Sequence, residues 1–544
     1  MRIFMYKLIT ALILSTMVGF TFAATPEKQL EFDPPINIPN SDRILAGSPT
    51  IIDLTNDNIP EIIIGDSKGK VYVYNSSGNL VWQHVTGSVA IESKPAVADI
   101  NLDGNPEVII SAGSTRTPGG TGGGHGSVTI LNGQTGVEIC KYTPPQFGGT
   151  SRGVFGSPAI ANLDSDPQLE IAFGDWGGTV NVLNHDCSIL WTSQRAPAVT
   201  GIQLPPNYDE TMSPFTVYIN DTVWSSPAIA DINRDGQLDV IIGVDSHVDD
   251  NGLTPDGGRL LVINGNNGTV QLAIDVDEVI WSSPAIADLD NDGSLDIIVG
   301  MGYCWQNPDC APPPNGFHNV ENKIFAWDKD GNNLPGWPHI LGNNHAVQTN
   351  SPSLADIDND GFLEVLINTF DKTTGPPVNS QATGTVRAIE HTGVLKWATI
   401  PNIPAGQSNF THFAAGSASP IIADIIGDGD YEIIVPSNWE LAVYDKNGLQ
   451  ISRQDPNSGP DDLTLLGNFP FLASPSIADL DNDGDLDLIA VGGTVAITPR
   501  PATIYVWDLT TSATSFQPWT SFRNSHANHG VYVKPNLIFI DGFE

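Results

Sequence analysis

Asp288, Asp290, Asp292 and Asp296 stand at positions 1, 3, 5 and 9 of the stretch DLDNDGSLD. A hard divalent cation such as calcium takes six to eight oxygen ligands, and alternate spacing lets a short loop turn several carboxylates inward at once. Gly293 at position 6 allows the sharp bend that follows the third ligand. The next residues are the apolar run IIVG, so the loop feeds a strand. An EF-hand loop instead ends in a bidentate Glu at position 12 and opens a helix.

The pattern occurs seven more times. Asp356, Asp358, Asp360 and Glu364 form one full copy, and Asp479, Asp481, Asp483 and Asp487 another. One amide replaces a carboxylate in Asp99, Asn101, Asp103 and Glu107, and in Asp231, Asn233, Asp235 and Asp239. Three copies are degraded. Thr55 takes position 3 among Asp53, Asp57 and Glu61, with Asn58 for the glycine; Pro167 replaces the glycine among Asn162, Asp164, Asp166 and Glu170. The last, Asp424, Asp428 and Glu432, carries Ile426 at position 3. Asp, Asn and Gly are common turn formers, so one copy alone reads equally well as an acidic surface turn. Eight copies in register with strands point to bound calcium, with the loops at 288, 356 and 479 expected to hold it tightest and the loop at 424 weakest.

Each loop sits inside a longer repeat. In the first, SPTIIDL is followed by the loop, then EIIIGD, KVYVYN and LVWQHV. That is four strands, A to D, as in one propeller blade. Loop starts at 53, 99, 162, 231, 288, 356, 424 and 479 are about 61 residues apart on average, because several connections exceed the minimal blade. Strand A is almost unbrokenly apolar, which suits burial on both faces near the axis.

These repeats resemble the FG-GAP or VCBS repeats of bacterial exported proteins and of the integrin α-subunit propeller, on the strength of a Ser-Pro opening, strand A, DxDxDGxxD and strand B. Phe155-Gly156-Ser157-Pro158, Ser226-Pro227, Ser283-Pro284 and Ser351-Pro352 match the opening. The resemblance implies an all-β fold, a calcium-stabilised β-propeller over residues 46–533; the eight visible copies, which depart from the integrin count of seven, make eight blades of four antiparallel strands the expectation. Seven blades plus a flanking unit is the alternative. The segment PWTSFRNSHANHGVYV resembles the closing stretch of such proteins and is expected to supply the last strand D.

At the N-terminus, Arg2 and Lys7 flank the apolar run LITALILSTMVGF, which ends at Thr21-Phe22-Ala23; this predicts a signal peptide over 1–23 and a secreted or cell-surface protein. Residues 24–45 are expected as a lead-in and 534–544 as a tail. The run is shorter than a membrane helix needs, so no membrane insertion of the mature chain is expected. A net charge of −39 argues against nucleic acid and anionic membrane as partners. Cys304 and Cys310 are expected to form a local disulfide, while Cys140 and Cys187 either pair across neighbouring repeats or remain free.

Chain direction in an up-and-down blade puts A–B and C–D connections on one face and B–C and D–A connections on the other. The long connections, among them 193–224, 301–322, 335–349 and 401–418, therefore lie opposite the acidic loops. Tyr208, Trp305, Phe317, Trp337, Phe410 and His412 are the candidate ligand-binding residues there, each equally able to be a loop anchor. Catalytic motifs fail on context: Gly149-Thr150-Ser151-Arg152-Gly153 spells GxSxG with no strand before it or helix after it. The expected function is a non-enzymatic binding or adhesion module for extracellular protein or glycan. The alternative is a calcium-dependent, lyase-like enzyme acting on polysaccharide, because eight-bladed propellers resembling these repeats also occur among polysaccharide lyases.

Overall fold

The computed structural model describes residues 29–30, 36–38, 47–87, 90–113, 126–145, 153–193, 219–220, 223–247, 257–276, 278–302, 322–342, 345–347, 349–371, 383–400, 418–452, 465–471, 473–493, 502–513 and 516–532. The expected signal peptide, the Cys304–Cys310 pair, the GxSxG serine, and Tyr208, Trp305, Phe317, Phe410 and His412 fall outside them. Among the described residues no helix is long and apolar enough to cross a membrane.

Eight blades of antiparallel strands stand in a ring. In blade 1 the strands are Thr50–Ile52, Glu61–Gly65, Lys70–Tyr74 and Leu80–Val85, paired in chain order. Blades 2 to 6 repeat this order, with strands A at Ala96–Ala98, Ala159–Ala161, Ala228–Ala230, Ala285–Ala287 and Ser353–Ala355. In blade 7 strand A is Ile421–Ala423, and its B and C strands run together as Glu432–Tyr444. Leu466–Phe471 then pairs with strands of both blade 7 and blade 8, so these two share one sheet.

Closure differs from the expectation. Strand C of blade 8, Thr503–Ser512, pairs with Gln29–Leu30 and Ile36–Asn37, so the N-terminal lead-in supplies the last strand D. The segment 516–532 lies instead along the axis. The backbone N–H groups of Val97, Ile160, Ile229, Ile286, Ile422 and Ile477, each the middle residue of a strand A, donate to carbonyls of His526, Ala527, His529, Gly530, Trp519 and Thr520. Strand A has no neighbour on its inner edge, and a buried unpaired N–H costs about 1–3 kcal/mol. This segment provides the missing acceptors.

Its side chains complete the same accounting. In three blades the residue after Ser-Pro carries a hydroxyl that donates to the proline carbonyl of the next blade: Thr50 to Pro95, Ser353 to Pro420 and Ser476 to Pro49, at 2.6–2.7 Å. In blades 2, 3 and 4 that residue is alanine. There the axial segment substitutes, Asn528 donating to Pro158 and Arg523 to Pro227 and Pro284.

The core is divided into apolar layers between blades. Leu54, Ile63, Val73, Ile91, Val108 and Ile110 pack between blades 1 and 2, and Ala172, Val182, Ile229, Val240 and Ile242 between blades 3 and 4. A tryptophan on strand D fastens each of several layers. Trp82, Trp191 and Trp397 donate from Nε1 to Gly133, Gly265 and Lys446 in the C–D turn of the following blade. Trp337, leading into strand D of blade 5, does the same toward His391 and is only 6% exposed, so it is a blade lock and not a ligand-facing residue. Cys140 and Cys187 are joined, tying strand D of blade 2 to the C–D turn of blade 3.

The lock demands glycine where the ring lands. Gly268 has φ +72°, and a Cβ there would lie 2.8 Å from the Trp191 ring. Gly268→Ala should therefore lose about 1–3 kcal/mol from the left-handed backbone and about 1–3 kcal/mol more from overpacking. In a Trp191→Ala background only the first loss should remain, which a double-mutant cycle in denaturant melts will read. Equal losses in both backgrounds would refute the steric part.

Candidate metal centres on the A–B face

All eight acidic loops are built on one plan. The acid at position 9 stands at or near the start of strand B, is buried, and turns one oxygen back to accept the backbone N–H of loop position 2. The pairs are Glu61 with Leu54, Glu107 with Ile100, Glu170 with Leu163, Asp239 with Ile232, Asp296 with Leu289, Glu364 with Ile357, Glu432 with Ile425 and Asp487 with Leu480, at 2.7–3.3 Å. The Asp at position 1 accepts the N–H of position 6 in seven loops, at 2.8–3.1 Å. These bonds pull both ends of the loop inward and aim the remaining oxygens at a common point.

Position 4 matters as much as position 6. Asn56, Leu102, Arg234, Asn291, Asn359 and Asn482 all have φ between 59° and 62°. Asparagine tolerates this conformation better than most residues, which accounts for the recurrent DND. Two of these asparagines also reach sideways: Asn56 donates to Gly104 and Asn291 to Gly361, each in the loop of the next blade. The blade 3 loop is the exception, since Asn162 at position 1 donates its amide to the Asp166 carbonyl.

Carboxylate oxygens converge to within 4.8 Å of one another in the sets Asp164, Asp166 and Glu170; Asp288, Asp290 and Asp296; Asp356, Asp358 and Asp360; and Asp479, Asp481 and Asp483. The three full copies are among these, together with the degraded blade 3 loop. Among the described residues the remaining loops form no such set. One oxygen each of Glu170, Asp239 and Asp288 is buried with no protein hydrogen-bond partner. A buried anionic oxygen without a partner is costly, and a cation at the point of convergence would satisfy it, so the donor set fits a hard metal ion.

Blade 6 contains a cation of its own, which sequence spacing did not reveal. Lys396, on strand D, places its ammonium 2.5 Å from Asp358, 2.9 Å from Glu390 and 3.4 Å from Glu364. Its hydrogen bond holds the Asp358 carboxyl below the usual range. Blade 4 has the neutral counterpart, Gln271, bonded to Asn233 of its loop. In blade 7 Lys446 pairs with Asp430 at 2.7 Å.

On the opposite face the described residues converge on one place, and it is not among the sequence candidates. A small depression of about 30 Å³ there is lined by Glu92, Phe155, Trp224 and Phe522 together with serines of the Ser-Pro openings. Trp224 lies 4.7 Å from Phe155, 5.1 Å from Trp176 and 4.8 Å from Trp281, centroid to centroid. The doubled sequence WSSP, at 224–227 and 281–284, was the available signal.

Burial is the first cause that raises the position-9 acids, with like-charged loop neighbours adding to it. Glu107, Glu170, Asp239 and Asp296 are pushed up to about 7, and Glu364 and Glu432 to about 8. A raised carboxyl favours the folded state while protonated. The ion-free protein should thus hold this stability below the unfolded value of about 4.5 and lose it as pH climbs through 7 to 8. With chelator, the melting temperature should fall from pH 5.5 to pH 8. Added calcium should restore more at pH 8 than at pH 5.5, and a calcium effect independent of pH would contradict the assignment.

Residues 53–110, which run from the first acidic loop into strand B of blade 2, match the FG-GAP-like repeat family. No curated protein matches the chain in sequence. Among solved structures, the quinohemoprotein alcohol dehydrogenase from Comamonas testosteroni is similar with a TM-score of 0.55 and 12% identity, over 92% of this chain and 79% of that one. A europium-containing methanol dehydrogenase gives a TM-score of 0.55 and 10% identity over 89% and 93%. At such identities the likeness is one of fold alone. The same strand, acidic loop and strand recur in every one of the eight blades, so the FG-GAP-like repeat matched at 53–110 fits the eight-bladed β-propeller.

Proposed function

We propose that this protein is an exported, calcium-stabilised propeller that acts as a non-enzymatic binding module, recognising an extracellular protein or glycan through the face opposite its acidic loops. The carrying observation is the contrast between the two faces. On one, eight loops of constant length repeat the same internal hydrogen bonds and leave buried carboxylate oxygens for a cation. On the other, connections vary from the tight Asp66-Ser67-Lys68-Gly69 turn to the long segment 301–322, and aromatic rings gather at the axis. Constant loops serve the scaffold, and variable loops are where recognition is usually placed.

Calcium would be held by the position 1, 3, 5 and 9 side chains and would supply charge neutralisation to the fold. A ligand that binds only the folded state stabilises it by mass action. Export is supported by the residues 1–23 pattern of basic start, apolar run and small-residue end.

Lys396 revises the order of the sites. Its ammonium already neutralises part of the blade 6 set, so the loops at 288 and 479 should bind calcium more tightly than the loop at 356. Lys396→Met should cost about 2 kcal/mol in chelator, where three carboxylates lose their partner, and much less in saturating calcium. A loss of the same size in both media would show that the lysine does not compete with an ion.

Shortening residues 304–316 to a four-residue turn should leave the calcium-dependent melt nearly unchanged, because longer loops cost little to close. It should weaken capture of partners on a glycan array or on cells. If capture survives this and similar truncations within 193–222 and 401–416, but is lost on changing exposed residues beside the acidic loops, the recognition face is the other one.

A further inference from the structure

The tryptophan lock on strand D recurs at one register. Trp82 pairs with Val73, Trp191 with Val182 and Trp397 with Ala388, each just past a bulge that sets it two residues beyond Leu80, Ile189 and Leu395. Each ring lands on a glycine of the next blade's C–D turn, Gly136, Gly268 or Gly448, where a Cβ would lie 2.5–2.8 Å from the indole. All three glycines are left-handed, with φ between 67° and 78°. Between blades 2 and 3 the same two places hold cysteine. Cys140 pairs with Ile130 past the same bulge, two residues beyond Glu138. Cys187 has φ 65°. Its turn is built like that of Gly448: the N–H of Cys187 donates to the carbonyl of Asn184 and that of Asn184 to Ser188, as Gly448 does to Asp445 and Asp445 to Leu449. The disulfide thus joins the tryptophan place to the glycine place.

The two kinds of lock answer to different conditions. An indole seated on a glycine is held by apolar contact and one hydrogen bond, neither of which depends on redox state. A disulfide persists only where thiols are kept oxidised. With the bond open, the seam would have two small thiols where its neighbours have a ring, and Cys187 would keep a left-handed backbone that an L residue adopts at a cost. Both cysteines are only partly buried against the layer of Ile130, Ile160, Phe173 and Leu183, so a reductant can reach the bond. What lies deeper does not depend on it. Tyr142 rests on Phe173 at 5.9 Å, the Leu169 N–H donates to Ile100, and the N–H groups of Val97 and Ile160 are held by the axial segment.

We propose that the seam between blades 2 and 3 is a redox-gated lock, closed by oxidation of Cys140 and Cys187 and opened at its outer rim by a dithiol. In opening, one thiolate of the dithiol attacks a sulfur of the pair and the S–S bond breaks; the second thiolate then displaces the first from the mixed disulfide. The reductant leaves as a cyclic disulfide, having given two electrons, and Cys140 and Cys187 each end with a proton. The tryptophan seams close in any compartment, whereas this one closes only in an oxidising one. The inference goes beyond the binding-module reading and does not depend on it.

The test uses the full mature chain with Cys304→Ser and Cys310→Ser, so that only this pair responds to dithiothreitol. In the folded protein dithiothreitol should open Cys140 and Cys187 to alkylation, lower the apparent melting temperature by about 3–6 °C, and speed amide exchange about tenfold in 138–142 and 184–188. Exchange in the strands that carry Trp82 and Trp397 should not change. Cys140→Trp with Cys187→Gly rebuilds the lock; it should melt within about 2 °C of the oxidised protein and ignore dithiothreitol. Cys140→Ala with Cys187→Gly should melt below it, equally in both media. If the indole variant folds poorly, Cys140→Leu with Cys187→Gly takes its place, after Leu272, which holds the same register in blade 4 and lies 3.2 Å from a Cβ placed on Gly331. A pair that resists dithiothreitol in the folded protein, a melt unmoved by reduction, exchange that quickens equally at every seam, or rebuilt variants that both melt with the alanine control would overturn the proposal.

Discussion

A ring of blades has an inner edge, and every backbone N–H on it needs an acceptor. Strand A is hydrogen-bonded to strand B on one side only, and eight blades hold the inner edges apart around a channel. Water could serve them, but here the segment 516–532 does so, matching its carbonyls to strands A in six blades. Once it is in place the channel is not a passage. The side chains of Arg523 and Asn528 then take up proline carbonyls that alanine at the start of the next strand A leaves unserved. A serine chain at the mouth follows from the same packing, since the Ser-Pro openings are drawn close enough for each N–H to reach the next hydroxyl.

The two faces follow from opposite uses of polar groups. On the A–B side, carboxylates are consumed first by the backbone of their own loop, and what remains converges on a point. The anions are crowded, buried at position 9 and short of partners, which is a stable arrangement only with protons or a cation to share. On the far side the polar groups serve the neighbouring blade instead, each serine hydroxyl accepting the N–H of the Ser-Pro opening before it.

Much of this was legible in the sequence. The eight loops, their strands and the four-stranded blade all follow from local spacing, because loop ligands and strand period are near-neighbour properties. What was not legible depends on partners far apart in the chain. Gln29–Leu30 and Ile36–Asn37 show no alternation long enough to mark a strand, and only strand C of blade 8 gives them one. The segment from Pro518 to Val533 was expected as that strand, and it lacks the period of one; its role emerges only when the inner N–H groups are counted. Lys396 is more than thirty residues from Asp358 and Glu364, two of the three blade 6 carboxylates that it bridges. Trp337 could not be separated from an exposed loop aromatic without knowing that the turn of blade 6 lies against it. The WSSP repeat was in plain view, but as a strand opening it gave no hint that its tryptophans meet.

The closure has a consequence for how the protein comes into being. Residues 29–37 are made before any blade and wait for strand C of blade 8, and the axis waits for residues 516–532, which are made after every blade. Until then blades 1 to 7 can form as hairpins, but their inner edges and the early segment 29–37 stay unpaired and open to any passing strand. During synthesis or transit the growing chain is therefore a set of unsealed sheets, exposed to mispairing with its own copies. A segment made after every blade is the one that seals them.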